Sequence, residues 1–190
     1  MKMKIAILGS TGSIGKNTIE ILKKDKNNFE IVLLTTNQNI KELLKQIKEF
    51  HPQNIIVYDV ESFTKIKKIL ERDKINIFNN YEMFNKFFKK KIDYTMSAIS
   101  GLDGLKSTLK IIRLSKKIAI ANKESIICAW NLIEKELKKY QTIFIPVDSE
   151  HFSIWSLLEN SKKNNFEKIY ITASGGPFRK LSLKKFKNIS

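Results

Sequence analysis

Cysteine and long apolar runs are scarce in this 190-residue chain, and each scarcity excludes a class of protein. A single cysteine, Cys128, excludes an intramolecular disulfide framework and is typical of a reducing compartment. Because Cys128 lies in an apolar stretch, we expect it to be a buried small hydrophobe. No run approaches the roughly 18 apolar residues of a membrane span, and residues 5–8 lead into a glycine-rich loop instead of a signal-peptide cleavage site. These observations predict a cytoplasmic protein with no membrane partner.

Arginine is also scarce, since all but three of the 35 basic residues are lysines. A net charge of +16 suggests a nucleic-acid partner, but arginine is the side chain that reads bases and grips phosphates bidentately. The lysines are spread over nearly every predicted helix, which is typical of solvated helix surfaces. We therefore expect no specific nucleic-acid partner. A basic nucleic-acid binder is kept as a third interpretation, which requires salt-sensitive binding to DNA or RNA.

Apolar strand patterns alternate with amphipathic helix patterns along the chain. The predicted strands cover residues 4–8, 29–34, 54–58, 75–78, 92–98, 117–121 and 140–147, and the predicted helices cover 14–24, 40–50, 63–70, 81–88, 102–114 and 124–139. This alternation implies a parallel sheet covered by helices on both faces. The predicted fold class is α/β, a Rossmann-like doubly wound parallel sheet followed by the start of a second α/β domain. A helix at 152–158 and a strand at 168–172 belong to that second domain, and we place the boundary between residues 140 and 141.

A glycine-rich string, GSTGSIG at residues 9–15, lies between the first strand and the first helix. Glycines there let the backbone turn tightly and approach a pyrophosphate at the positive end of the helix. A tight turn without a ligand is the alternative, because the string departs from strict G-x-G-x-x-G. After the second strand, residues 36–39 (TNQN) contain no carboxylate, and Lys41 follows. This favours NADP over NAD, because a carboxylate would repel the 2′-phosphate.

Residues 121–125 (ANKES) follow a predicted strand at the edge where a parallel sheet opens its crevice. A lysine, Lys123, and an amide, Asn122, can address an anionic substrate or the nicotinamide end of a cofactor there. The same residues also fit a plain helix start, with Asn122 as the cap and Glu124 in the first turn. Both interpretations stay open.

Two carboxylates, Asp148 and Glu150, stand two residues apart in PVDSEH at residues 146–151. On a strand they would point to one side and converge on a hard divalent cation. On a helix they would diverge, and the alternative is a strand-to-helix turn capped by Asp148 or Ser149, with the helix beginning near His151. Further on, TASGGPFR at residues 172–179 places a serine beside two glycines, which suits a phosphate or a plain turn.

Together, GSTGSIG, ANKES, PVDSEH and SGGPFR resemble the 1-deoxy-D-xylulose 5-phosphate reductoisomerase family, in the family order and across essentially all 190 residues. The resemblance implies an NADP-dependent oxidoreductase/isomerase of non-mevalonate isoprenoid synthesis. Such an enzyme rearranges 1-deoxy-D-xylulose 5-phosphate and reduces the product with NADPH to 2-C-methyl-D-erythritol 4-phosphate. Residues 1–140 would then be the NADPH-binding domain, and residues 141–190 would begin the catalytic domain. A homodimer is implied for the full-length enzyme.

The resemblance also implies a role for individual residues. Asp148 and Glu150 would hold Mg²⁺ or Mn²⁺, which polarises the substrate's oxygens, and with Lys123 they form the implied catalytic set. The phosphorylated sugar would be bound by Lys123, Ser149, Glu150 and, through its phosphate, Ser174. The residues implied in NADPH binding are Thr11, Gly12, Ser13, Ile14, Asn37, Gln38, Asn39, Asn122 and Glu124.

The chain departs from the family pattern in two places. Gln38 stands where the family usually has a lysine or arginine, and Asn37 stands at a glycine position, where asparagine can adopt the left-handed conformation. Family members also run considerably further, and the additional part carries a third carboxylate, a flap with His and Trp, and most phosphate ligands. We therefore expect these 190 residues to bind NADPH with negligible turnover. The alternative is a stand-alone NADP-binding module with a regulatory or structural role, whose cofactor binding ignores metal and substrate.

Overall fold

Strands and helices alternate in the computed structural model, which describes residues 2–159 and 167–171. The elements are β1 (Met3–Leu8), α1 (Ser13–Lys23), β2 (Phe29–Thr36), α2 (Ile40–Phe50), β3 (Asn54–Val57), α3 (Val60–Ile69), β4 (Asn76–Phe78), α4 (Tyr81–Phe87), β5 (Ile92–Ser97), α5 (Asp103–Ile112), β6 (Ser115–Ile120), α6 (Lys123–Tyr140), β7 (Ile143–Pro146) and α7 (Ser149–Glu159). None of the helices in the described ranges is long and apolar enough to cross a membrane.

The seven strands form one parallel sheet in the order β4-β3-β2-β1-β5-β6-β7. The chain winds outward from β1 through β2 to β4, then returns to β5 on the other side of β1 and winds outward again. A crevice opens where the winding direction reverses, at the carboxyl ends of β1 and β5. The predicted doubly wound parallel sheet is confirmed, and its order locates the crevice beside the glycine-rich string.

The two faces of the sheet carry separate apolar cores because successive strand residues point to opposite sides. Ile5 and Ile7 pack with the buried residues of α1, α2 and α3, whereas Ala6 and Leu8 belong to the core under α4, α5 and α6. The pairing of β1 with β2 shifts register at Ile5/Ala6, which places neighbouring Val32 and Leu33 in the same core. Both faces are therefore covered by helices, as expected for a parallel sheet.

Most helices begin at a capping side chain. Asn39, Asp59, Asn80 and Asn122 each accept a hydrogen bond from the backbone N–H three residues later, at the starts of α2, α3, α4 and α6. At α1 the capping position is Gly12, which has no side chain, and the first turn contains no acidic residue. The positive end of α1 is therefore neutralised by neither a cap nor a carboxylate.

The end of the sheet differs from the prediction. The strand expected over residues 140–147 is shorter, because α6 continues to Tyr140 and Gln141 takes a left-handed φ of 53° that ends the helix. The strand β7 pairs with β6, so the compact unit that contains the sheet ends at Asp148 and the second unit begins at Ser149. The unit containing the sheet thus continues past the boundary expected at residue 140.

Two further sequence predictions are wrong. Cys128 is exposed, because the buried side of α6 is formed by Ser125, Ala129 and residues one and two turns further on, and Cys128 lies off that side. The strand expected over residues 168–172 is absent in its described part, since residues 168–171 have no regular structure. Thr172 lies outside the described residues.

Candidate functional site

The glycine-rich loop after β1 is held by the end of β2. The Gly9 N–H donates to Thr35 Oγ1 at 2.9 Å, and the Ser10 N–H donates to the Thr35 carbonyl oxygen at 2.9 Å. The hydroxyl oxygens of Thr11 and Thr36 are 2.7 Å apart. These contacts fix the loop at the mouth of the crevice.

Two glycines make this loop geometry possible. Gly9 has φ +72°, and a Cβ there would lie 2.9 Å from the Ala98 carbonyl oxygen at the end of β5. A Cβ on Gly15 would lie 2.3 Å from the Gly9 carbonyl oxygen, so α1 packs directly on the loop. No side chain caps the first backbone N–H groups of α1. This arrangement fits a pyrophosphate, because exposed N–H groups and the helix dipole both favour an anion.

Asn122 at the end of β6 joins two loops. Its amide nitrogen donates to the carbonyl oxygens of Ile99 at 2.8 Å and Gly101 at 2.5 Å, and its Oδ1 accepts from the Ser125 N–H at 3.0 Å. The side chain is almost fully buried, with 3% exposed. Asn122 therefore caps α6 and clamps the loop between β5 and α5.

A small cavity of about 200 Å³ lies at the carboxyl ends of β5 and β6, and we call it the crevice cavity. Ile14 from the glycine-rich string lines it together with Asn122, Lys123 and Glu124. Two strings that are more than a hundred positions apart in the sequence therefore meet at the point where the sheet reverses.

The acidic string begins in the first unit, beside the crevice. Asp148 follows β7, and its Oδ2 lies 3.8 Å from Nζ of Lys123, which follows the neighbouring strand β6. Parallel strands end at the same edge of a sheet, and this is why the two residues meet. The side chain of this lysine is 68% exposed.

Glu150 does not share a strand with Asp148, so the argument from strand alternation is wrong. The strand β7 ends at Pro146, and Glu150 lies in the first turn of α7, which begins at Ser149. The Ser149 hydroxyl donates to Glu150 Oε2 at 2.8 Å within the second unit. The alternative interpretation, a strand-to-helix turn, describes the observed local structure, although the helix starts two residues before His151.

The donor chemistry of the acidic string fits a hard divalent cation. Magnesium is usually held by one or two carboxylates, with water and substrate oxygens completing its coordination. Within residues 2–159 and 167–171, no three or more His, Cys, Asp or Glu side chains are grouped to hold a metal ion. Asp148 and Glu150 are the two carboxylates of the acidic string, and Ser174 of the phosphate string lies outside the described residues.

The loop after β2 carries the other three predicted cofactor residues. Asn39 caps α2, and Gln38 Nε2 donates to Asp59 Oδ1 at 3.5 Å. Asn37 is not left-handed, since the only described residues other than glycine with positive φ are His51 and Gln141. The Ser62 N–H bonded to Asp59 lowers the pKa of that carboxyl group, so a negative charge lies beside Gln38.

Comparison with known proteins identifies the family. The family model described as 1-deoxy-D-xylulose 5-phosphate reductoisomerase matches residues 5–130, and the model described as its C-terminal domain matches residues 144–190. The chain belongs to the 1-deoxy-D-xylulose 5-phosphate reductoisomerase family.

The reductoisomerase of Pelagibacter ubique is 66% identical over 189 residues, covering 98% of this chain and 49% of that protein. The reductoisomerase from Zymomonas mobilis, solved in complex with NADPH, superposes with a TM-score of 0.85 at 32% identity, over 97% of this chain and 49% of that one. A DOX-P reductoisomerase solved with NADPH, fosmidomycin and magnesium gives a TM-score of 0.81 at 31% identity, over 99% of this chain and 49% of that one. This reductoisomerase-family chain thus spans about half the length of the relatives it matches.

Sequence reasoning missed the residues that hold the glycine-rich loop of this family member. Thr35 and Thr36 follow the apolar residues 31–34 at the end of β2, and their hydroxyl groups contact the loop. Gln46, 3% exposed on α2, donates from Nε2 to the Ser10 carbonyl oxygen at 2.9 Å. The sequence does contain a signal for this contact: Gln46 lies with Leu43 and Ile47 on the apolar side of α2, where a polar side chain needs a buried partner.

Proposed function

We propose that this chain is the NADPH- and metal-binding part of a 1-deoxy-D-xylulose 5-phosphate reductoisomerase, which converts that sugar phosphate to 2-C-methyl-D-erythritol 4-phosphate. The observation that carries the proposal is the crevice cavity, where Ile14 meets Asn122, Lys123 and Glu124 at the reversal of the sheet. Membership of the family and the NADPH and magnesium named for the solved relatives support it.

The start of α1 would hold the cofactor's pyrophosphate. Thr11, Gly12, Ser13 and Ile14 surround an uncapped helix end, where N–H groups bind phosphate oxygens. NADPH, when bound there, supplies the hydride that reduces the rearranged substrate. Asn122 contributes by keeping the loop after β5 and the start of α6 in place, and Glu124 lies on the crevice wall near the proposed ribose position.

Lys123, Asp148 and Glu150 would form the substrate end of the site. Asp148 and Glu150 would hold a divalent cation, which would supply polarisation of the substrate oxygens, and Lys123 would present its ammonium group to the same anionic substrate. Ser149 and Ser174 are proposed to contact the sugar phosphate, the latter through its phosphate group. We also propose a cytoplasmic location for the full-length enzyme. We further propose that the full-length enzyme is a homodimer, and sedimentation of that enzyme would test this oligomeric state.

Manganese binding by the 190-residue chain tests the metal assignment. We expect wild type and Asp148→Ala to bind NADPH equally, as followed by nucleotide fluorescence, because Asp148 lies at the substrate end of the site. Mn²⁺ affinity, followed by water-proton relaxation, should fall at least roughly 10-fold in Asp148→Ala, a loss seen even for residues behind a metal ligand. Asp73→Ala, which removes an exposed carboxylate elsewhere, is the matched control and should change neither measurement.

These measurements distinguish a reductoisomerase site from a stand-alone NADP-binding module. Identical Mn²⁺ curves for wild type and Asp148→Ala would favour a stand-alone NADP-binding module over a reductoisomerase site. Absence of NADPH binding by the wild-type chain would contradict both.

A further inference from the structure

A second cavity, of about 420 Å³, lies on the β2 side of the crevice, and we call it the tyrosine cavity after Tyr58 and Tyr81 in its wall. Asn37 after β2, Ser100 after β5 and Lys106 on α5 also line it. Ile99 and Ser100 line both cavities, so the tyrosine cavity adjoins the crevice cavity. Neither the glycine-rich string nor residues 121–125 contribute to its wall.

The position of the tyrosine cavity fits one end of a dinucleotide. In doubly wound folds the pyrophosphate lies at the start of the first helix, and the adenosine ribose lies at the end of the second strand. Asn37 directly follows that strand, and the cavity extends from it past the end of β3. An adenosine group would therefore enter the tyrosine cavity if the pyrophosphate occupies the start of α1.

The wall of the tyrosine cavity offers a buried donor. The Tyr81 side chain is 3% exposed, and its hydroxyl group lies near those of Tyr58, Ser107 and Thr35, but within the residues that the structure describes none of these completes a hydrogen bond to it. Burial, reinforced by nearby Tyr58, raises the pKa of Tyr81 well above its usual value, so the hydroxyl group keeps its proton. Buried polar groups almost always have a partner, and the ring nitrogens of a purine are acceptors of the required kind.

The charged residues around the tyrosine cavity leave Lys106 as the candidate partner for an anionic group. No basic residue occurs in the loop at residues 37–39, and Asp59 places a carboxylate beside Gln38. Two lysines line the cavity, and Lys110 is paired with Glu82. Lys106 makes no ion pair with any residue in the described ranges, although Asp103 also lines the wall.

We propose that the tyrosine cavity holds the adenosine end of the cofactor and that Lys106 pairs with its 2′-phosphate, in place of a basic residue in the loop after β2. This inference rests on the proposed NADPH binding. Lysine binds phosphate as a point charge on a flexible stem, so it can act from α5 without the bidentate geometry of arginine. Lys106 is then the residue that distinguishes NADP from NAD in this chain.

Nucleotide fragments test the proposal without the nicotinamide end. By calorimetry on the 190-residue chain, Lys106→Ala should weaken 2′,5′-ADP binding about 10-fold, the loss expected for one charge-assisted hydrogen bond. Binding of 5′-ADP should stay within about twofold of wild type, because this nucleotide lacks the 2′-phosphate that is the proposed partner of Lys106. Lys41→Ala, which removes the exposed lysine that follows the β2 loop, is the matched control and should leave both affinities unchanged.

A second variant tests the cavity itself. Tyr81→Phe should weaken both nucleotides by about the same factor, because the hydroxyl group would contact the purine and not the phosphate. The melting temperature of the unliganded variant should change little, because the hydroxyl group completes no hydrogen bond within the described residues. Equal losses of 2′,5′-ADP and 5′-ADP in Lys106→Ala, or a loss in Lys41→Ala instead, would overturn the proposal. If the wild-type chain binds NADPH and Lys106→Ala has the wild-type affinity for 2′,5′-ADP, only this inference fails. If the wild-type chain binds no NADPH, the proposed function fails as well.

Discussion

Gly15→Ala should abolish NADPH binding and lower the free energy of unfolding by about 2 kcal/mol. The added Cβ would lie 2.3 Å from the Gly9 carbonyl oxygen and 2.6 Å from Ser10 Cα, and both are backbone atoms that cannot rotate away. Overpacking of this kind costs about 1–3 kcal/mol, and the better helix propensity of alanine offsets up to about 1 kcal/mol. The loop must shift to relieve the clash, which displaces the N–H groups proposed to bind the pyrophosphate.

Urea unfolding and NADPH fluorescence titration measure the two effects of Gly15→Ala. Gly101→Ala is the matched control, because Gly101 has φ +70° and a Cβ there would meet no atom within 4 Å. That variant should lose about 1–2 kcal/mol through the left-handed conformation alone and should keep NADPH binding. Wild-type NADPH affinity in Gly15→Ala would show that the loop geometry does not determine cofactor binding.

Asn122→Ala should lower the free energy of unfolding by about 3 kcal/mol. The substitution removes the cap of α6, worth about 1 kcal/mol, and leaves the Ile99 carbonyl oxygen without its side-chain donor, whereas the Gly101 carbonyl oxygen still accepts from the Gly104 N–H at 3.2 Å. An unsatisfied buried polar group costs about 1–3 kcal/mol. The loop after β5 and the start of α6 both border the crevice cavity, so NADPH binding should weaken together with stability.

The matched control for Asn122 is Asn39→Ala. Asn39 caps α2 through a single hydrogen bond to the Glu42 N–H and is exposed, so its loss should cost only about 1 kcal/mol. Urea unfolding compares the two variants, and hydrogen exchange of the Ser125 N–H reports the cap of α6 directly. Equal destabilisation by both substitutions would mean that the clamp between the β5 and β6 loops contributes nothing.

Local pattern was sufficient to predict the sheet. Periodicity predicts β1 to β6 close to their observed positions, because strands buried on both faces are largely apolar runs separated by amphipathic helices. The starts of α2, α4 and α6 can also be predicted from the sequence, because each of these helices has an asparagine at its N-terminal capping position. The family resemblance likewise rested on short strings, and the family models confirm it.

Local pattern failed around Asp148 and Glu150. The apolar run before them continues directly from a helix, and two carboxylates two residues apart fit both a strand and a helix start. The pairing of β7 with β6 determines where the strand stops. The last paired residue is Pro146, so Asp148 lies between the end of β7 and the start of α7. Cys128 was misplaced for a related reason, since an apolar stretch of a helix does not reveal which of its sides meets the sheet.

Element order, fold class and family follow from periodicity and short strings, because both record interactions between residues that are close along the chain. The contacts that build the site join distant residues: Thr35 holds Gly9 across 26 positions, and Gln46 holds Ser10 across 36. The approach of Lys123 to Asp148 and the wall shared by the two cavities depend likewise on which strands are neighbours. Those neighbours are set by the order of strands in the folded sheet, which no local stretch of sequence encodes.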